Sequence, residues 1–154
     1  MSKRTRPSLD ATSKAIIEQL QLDGRRSYAE IGKAVGLSEA AVRQRVQKLT
    51  DAGVMQIVAV TDPMSLGFTR QAMIGVRVSG DTRVVADRLS DMPEVAYVVL
   101  SAGSFDILAE LVCEDDEALI EVLNEKIRLV EGVARTETFV YLQLKKQKYD
   151  WGTR

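Results

Sequence analysis

The chain contains no histidine, which removes the commonest general base and the commonest transition-metal ligand together. Its one cysteine, Cys113, cannot form an intramolecular disulfide. In a strand-like run it reads as a small buried hydrophobe rather than a reactive thiol. No apolar stretch approaches the ~18 residues of a membrane span, and the opening MSKRTRPS lacks the apolar core of a signal peptide. A cytoplasmic protein without membrane attachment is expected. The single dense acidic run, Glu114-Asp115-Asp116-Glu117, falls between a predicted strand and a predicted helix. There it reads as a helix cap and solvated first turn in preference to a metal site. No catalytic constellation, metal site or cofactor motif emerges, so no enzymatic activity is expected.

What is present is concentrated in residues 27–53, SYAEIGKAVGLSEAAVRQRVQKLTDAG. Ser27-x-x-Glu30 is a capping box that opens a short helix. Ile31 and Val35 face inward from it, with Ala34 beside them. Gly36 ends the helix where a left-handed residue is cheap only for glycine, and Leu37 fills the corner. Ser38 caps the next helix, with Glu39 at its positive end. In that second helix Val42, Val46 and Leu49 make one buried stripe. Ala40, Arg43, Gln44, Gln47 and Lys48 fall on the opposite side, and Arg45 lies at the edge. Arg and Gln forks match guanine and adenine edges in the major groove, and Lys suits phosphates. The alternative is a solvated polar face on an ordinary helical bundle; the caps and the tight turn favour a DNA-reading helix-turn-helix. Ser27, Ser38 and Arg45 then support phosphate contacts or helix placement, and small Ala40 and Ala41 let the helix start approach the bases.

The flanks extend this domain. Met55–Val60 is a short apolar run predicted as a strand, half of a wing against the DNA backbone. Upstream, Asp10 caps a predicted helix running to Leu22, with Ile16, Ile17 and Leu20 inward. Arg25 and Arg26 close that helix in position for phosphates, which fix register without reading sequence. Lys3, Arg4 and Arg6 read as a basic arm. Residues 1–62 carry 10 Lys and Arg against 7 Asp and Glu, and residues 63–154 carry 11 against 15. A mildly basic module joined to an acidic remainder suits DNA binding by more than one copy.

Pro63 and Gly67 mark a linker at 63–68 between a DNA-binding domain at 1–62 and a second domain at 69–154. The second domain reads β-α-β-β-α-β: strands at Ala72–Val78, Val95–Leu100, Ile107–Val112 and Val133–Leu144. One helix carries Val84, Val85 and Leu89; the other begins at Asp115 and turns Leu119, Ile120, Leu123 and Ile127 inward. Two β-α-β halves fused this way give a ferredoxin-like sandwich with both helices on one face of an antiparallel sheet. The fold class is therefore α+β, a winged helix-turn-helix followed by a ferredoxin-like domain. Ile74, Val76, Val98 and Leu108 are too apolar for an uncovered sheet face, so a homodimer is expected. Two-fold symmetry would supply two reading helices.

From about Leu9 to Tyr149 the chain resembles the Lrp/AsnC (leucine-responsive/asparagine regulator) family of transcription factors. The resemblance rests on LDATSKAIIEQLQLDGR, on Val42-x-x-Arg45-Val46-x-x-Leu49-x-x-x-Gly53-Val54, and on Ala102-Gly103-Ser104-Phe105-Asp106. It implies dimers that assemble further, typically to octamers, and an amino-acid effector held between C-terminal domains. Gly103, Ser104, Phe105 and Asp106 match the family's effector hairpin. A carboxylate such as Asp106 suits an α-ammonium, and free N–H groups in a glycine turn suit an α-carboxylate; Thr136 and Thr138 would supply hydroxyls. Alternatively, Asp106 and the turn merely shape a hairpin. Three positions depart from the family pattern: Glu39 stands where proline is common, Ser13 replaces an acidic residue, and Phe105 stands where tyrosine is frequent. The expected function is a sequence-specific, effector-controlled DNA-binding regulator. The alternatives are a low-specificity architectural DNA-binding protein and an amino-acid-sensing module that docks on partner proteins.

Overall fold

The computed structural model describes residues 9–149, 152 and 153; Lys3, Arg4 and Arg6 lie outside them. The described chain forms two compact units. One reaches to Ala59 and takes in the segment from Lys146, and the other is Val60–Lys145.

The first unit is built on three capped helices. Helix α1 (Ala11–Leu22) starts where the Asp10 carboxylate accepts the Ser13 N–H at 2.7 Å. Helix α2 (Tyr28–Val35) has the predicted capping box, with Ser27 Oγ and the Glu30 carboxylate each accepting the other residue's backbone N–H. Ser38 caps α3 (Glu39–Asp51) by accepting from Ala41 N–H. Between α2 and α3 the chain turns at Gly36, whose φ of 73° is left-handed. Ile16, Leu20, Ile31, Val42 and Val46 form the shared core. Fully burying each such aliphatic side chain contributes about 1.5–3 kcal/mol, so these few residues hold the three helices together.

Two expectations for this unit change. Ala34 is exposed, and the buried partner of Ile31 on α2 is Gly32. Met55–Val60 is not a strand. Val54 and Met55 N–H both return to the Leu49 carbonyl, and Ile57, Val58 and Val60 are exposed. A strand needs a neighbour for its backbone groups, and this segment has no ladder partner among the described residues.

In the second unit a 3₁₀ turn (Met64–Leu66), held by Asp62 accepting from Met64 and Ser65, precedes the sheet. Strands β1 (Arg70–Val78), β2 (Val95–Leu100), β3 (Ile107–Cys113) and β4 (Val133–Val140) lie in the order β2-β3-β1-β4. Every pairing is antiparallel. Helix α4 (Thr82–Ser90) follows β1, and α5 (Asp116–Glu121) follows β3, continuing as a π turn and a 3₁₀ turn to Leu129. Asp115 caps α5 by accepting from Ala118 N–H, and Asp116 pairs with Arg70. The acidic run is thus engaged as helix cap and strand tether.

The core lies on the helix side of the sheet, where Ile74, Val76, Ile107 and Leu111 pack with Val85, Leu89, Leu123 and Ile127. This corrects the sequence assignment of the open face. Ile74 and Val76 are fully buried under the helices, and Val98 packs against the same core. Alternation then puts Met73, Gly75 and Arg77 of β1 on the uncovered side, with Leu108 and Glu110 opposite on β3 and Glu137 and Phe139 opposite on β4. Val84 and Ile120, expected inward, are exposed, while Val122 is buried. The last strand stops at Val140 instead of Leu144; beyond it Leu142 and Leu144 are exposed.

Candidate functional site

Helix α3 buries Val42, Val46 and Leu49, and that fixes what its other side offers. Ala40, Arg43, Gln44, Gln47 and Lys48 are all exposed. Two of these are held by neighbours on the same helix. Arg43 Nη2 pairs with Glu39 Oε1 at 2.8 Å, its guanidinium 5.2 Å from the centroid of the Tyr28 ring. Gln47 Nε2 donates to Asp51 Oδ1 at 2.7 Å. The side chains of Gln44 and Lys48 have no partner among the described residues. Both line a cleft of about 550 Å³ between the start of α1 and α3, with Ala41, Leu37 and Arg45 beside them.

Arg45 has a different position. Its Nη1 donates to both Asp10 oxygens, at 3.0 and 2.7 Å, and to Ser13 Oγ at 3.1 Å. One guanidinium therefore locks the first turn of α1 to the middle of α3. The Arg45 hydrogen bond, followed by the Ser13 N–H, holds the Asp10 carboxyl down at about 2. Arg45 sets α3 in place, as does Ser38 through its cap. Ser13, a departure without obvious consequence in the sequence, is buried and is part of this clamp. Sequence spacing gave no signal for the Asp10–Arg45 pair, because its partners lie on different helices.

The hairpin residues are placed less simply. Gly103 and Ser104 are exposed at the β2–β3 turn. Phe105 lies on the open sheet face, stacked over Gly75 and edge-on to Phe139 with ring centroids 6.0 Å apart. A Cβ at position 75 would sit 2.6 Å from the Phe105 ring, so glycine is needed there. Asp106 Oδ2 accepts the Val78 N–H at 2.9 Å, and Oδ1 is 3.6 Å from Arg77 Nη1. Its own N–H donates to the Val76 carbonyl. Asp106 thus closes the end of the β1–β3 ladder. Thr136 and Thr138 are paired with Val76 and Ile74 and so share the helix side of the sheet, opposite Phe105. Thr136 Oγ1 accepts from Arg128 Nε at 3.1 Å. Within one chain these threonines and the hairpin are not brought onto one face.

The open face carries a polar network that sequence reasoning missed. Gln71 Nε2 donates to Glu110 at 2.9 Å, and Tyr141 also bonds Glu110. Burial, and then the carboxylate beside it, push the Tyr141 phenol up to about 12. Alternate residues of β1 and β3 would have disclosed Gln71 and Glu110 once the buried face was known.

Comparison with known proteins bears on both units. Residues 9–50 match the AsnC-type helix-turn-helix domain, and residues 68–154 match an AsnC-type C-terminal dimeric alpha+beta barrel domain. The chain belongs to the Lrp/AsnC family of transcription regulators. Among curated relatives, the HTH-type transcriptional regulator FL11 of Pyrococcus horikoshii is 34% identical, over 92% of this chain and 95% of its own length. LrpA of the same organism is 32% identical over 88% and 97%. The solved structure of E. coli AsnC aligns with a TM-score of 0.80 at 27% identity, covering 92% of this chain and 97% of that one. A Neisseria meningitidis regulator solved as an L-Met complex also aligns at 0.80 and 27%, over 92% and 95%. The Lrp/AsnC assignment makes this chain a helix-turn-helix transcriptional regulator with a dimerising C-terminal domain. None of its described helices is long and apolar enough to cross a membrane.

Proposed function

We propose that the chain is a sequence-specific regulator that reads DNA with the outer face of α3 and answers to an amino acid or related small metabolite. The observation that carries DNA reading is the pair Gln44 and Lys48. They are exposed, have no partner among the described residues, and stand on a helix whose other side is fully committed to the core. Gln44 matches an adenine edge, and Arg43, once it leaves Glu39, matches guanine. Lys48 and Gln47 anchor phosphates or flanking bases, while Ser27, Ser38 and Arg45 hold the helices in register.

The effector proposal rests on Gly103. Its backbone conformation does not demand glycine, and a Cβ there would meet nothing within 4 Å. Folding of one chain does not explain the bare backbone; close approach of a ligand carboxylate does. Asp106 keeps lone pairs for an α-ammonium, and Thr136 and Thr138 join the site from another subunit. The L-Met complex of the Neisseria regulator supports the ligand class. Higher assembly, to an octamer, belongs to the same proposal.

Comparing specific with random duplexes tests DNA reading. Arg43→Ala or Gln44→Ala weakens binding to the specific site about 5- to 150-fold, the range for one bidentate base contact, and random-DNA binding much less. Equal losses on both duplexes would remove these residues from base readout.

A further inference from the structure

Helix α3 opens with an acid where its first turn would meet base edges. Glu39 is its first residue, exposed like Arg43 one turn on, and the two side chains are paired at 2.8 Å. Tyr28 on α2 completes the group. Its ring is half-buried against the helical core, and the Arg43 guanidinium lies 5.2 Å from the ring centroid. The plain role of Glu39 is to steady the helix start, since an acid there suits the helix dipole and Glu before Arg at this spacing is favourable. Ser38 already caps that end, however, and an exposed pair of this kind holds Arg43 only weakly.

A carboxylate in this place limits what the helix can read. When Arg43 moves to a guanine edge, Glu39 loses its cation and becomes an acceptor facing a groove lined by phosphates. Guanine and thymine meet it with acceptors. Adenine offers an amine with the N7 acceptor beside it, whereas cytosine offers its N4 amine alone. An ionised side chain left against the wrong base discriminates by repulsion as well as by attraction. We propose that Glu39 is a specificity-determining residue that accepts a hydrogen bond from a cytosine amine while Arg43 donates to guanine. Four residues cover about 6 Å of helix, against about 3.4 Å per base pair, so the two side chains address separate pairs. This rests on the DNA-reading proposal above and adds a C·G pair to what that helix selects.

The test is selection by the full chain from a pool of duplexes with a randomised core, with the bound fraction sequenced for wild type, E39Q and R43A. Glutamine keeps the side-chain length and removes the charge. E39Q loses discrimination at one C·G pair, by about 5- to 150-fold, the range for one mismatched pair, and keeps its preferences elsewhere. R43A loses discrimination at a different pair. On random DNA E39Q binds no more weakly than wild type, because a charge that repels phosphates is gone. An E39Q profile identical to that of wild type would overturn the proposal. So would a loss confined to the pair that R43A also loses, which would make Glu39 a support for Arg43 alone. An equal change in affinity for every duplex would overturn it as well, since helix stability and net charge act without regard to sequence. A wild-type chain with no base preference would overturn the DNA-reading proposal, and this one with it.

Discussion

Asp10 has two roles at once, capping α1 and holding Arg45 on α3, and its titration separates them. Its folded carboxyl lies near 2 against an ordinary 3.8. A depressed carboxylate contributes stability that is complete above the unfolded value and lost as pH falls through the folded one. Asparagine still caps a helix but cannot pair with the guanidinium. Asp10→Asn is therefore expected to melt below wild type at neutral pH, with the gap closing between about pH 4 and pH 2. Thermal melts followed by circular dichroism across that range check it, and a gap independent of pH would show that folding does not lower the Asp10 carboxyl. Legibility differs sharply among residues here. The exposed face of α3 follows from one helix's periodicity, so Ala40, Arg43, Gln44, Gln47 and Lys48 were readable in advance. Arg45 was ambiguous because its partner is 35 positions away.

At the scale of elements, the turn between α2 and α3 sets the placement of α3, the proposed reading helix, and Gly32 is its tightest point. The Leu37 N–H returns to the Gly32 carbonyl at 2.9 Å, and a Cβ at position 32 would lie 2.5 Å from the Leu37 carbonyl oxygen. That contact is with backbone, so relief requires moving the turn. Gly32→Ala is expected to destabilise the protein by about 1–3 kcal/mol, the range for overpacking, and to weaken specific DNA binding. Urea unfolding measures the first effect; a change within about 0.5 kcal/mol, as at an ordinary surface site, would contradict this geometry. Helix boundaries were legible because caps are local: Asp10, Ser27 and Ser38 each announce a start. Strand behaviour was less so. Met55–Val60 has strand composition, but pairing is a non-local property. On β1 the alternation was visible while its sign was not, since Ile74 and Val76 and their neighbours Met73 and Gly75 are all apolar. Only the packing of α4 and α5 decides which set is covered.

For the whole molecule, a basic helical unit and an acidic sheet unit divide the work between nucleic acid and assembly. The uncovered sheet face mixes Met73, Leu108, Phe105 and Phe139 with the Gln71–Glu110–Tyr141 network. Apolar area with fixed polar pairings suits a specific subunit contact, in keeping with the dimeric character of the matched domain. The topology was legible in the order of elements, because β-α-β-β-α-β with short connections leaves few alternatives. The proposed effector site was only partly legible. Phe105 of its hairpin and its threonines lie on opposite sheet faces of one chain, so the proposed site, if it uses both, requires a second subunit. The central claim is control of DNA reading by a small molecule, and fluorescence anisotropy tests it most directly. The protein is titrated onto DNA from upstream of its own gene and onto random DNA of equal length, with and without a mixture of the common amino acids. The account predicts tighter binding to the upstream duplex and a shift in that binding when the mixture is added. Equal affinity for both duplexes, unmoved by the mixture, would contradict it.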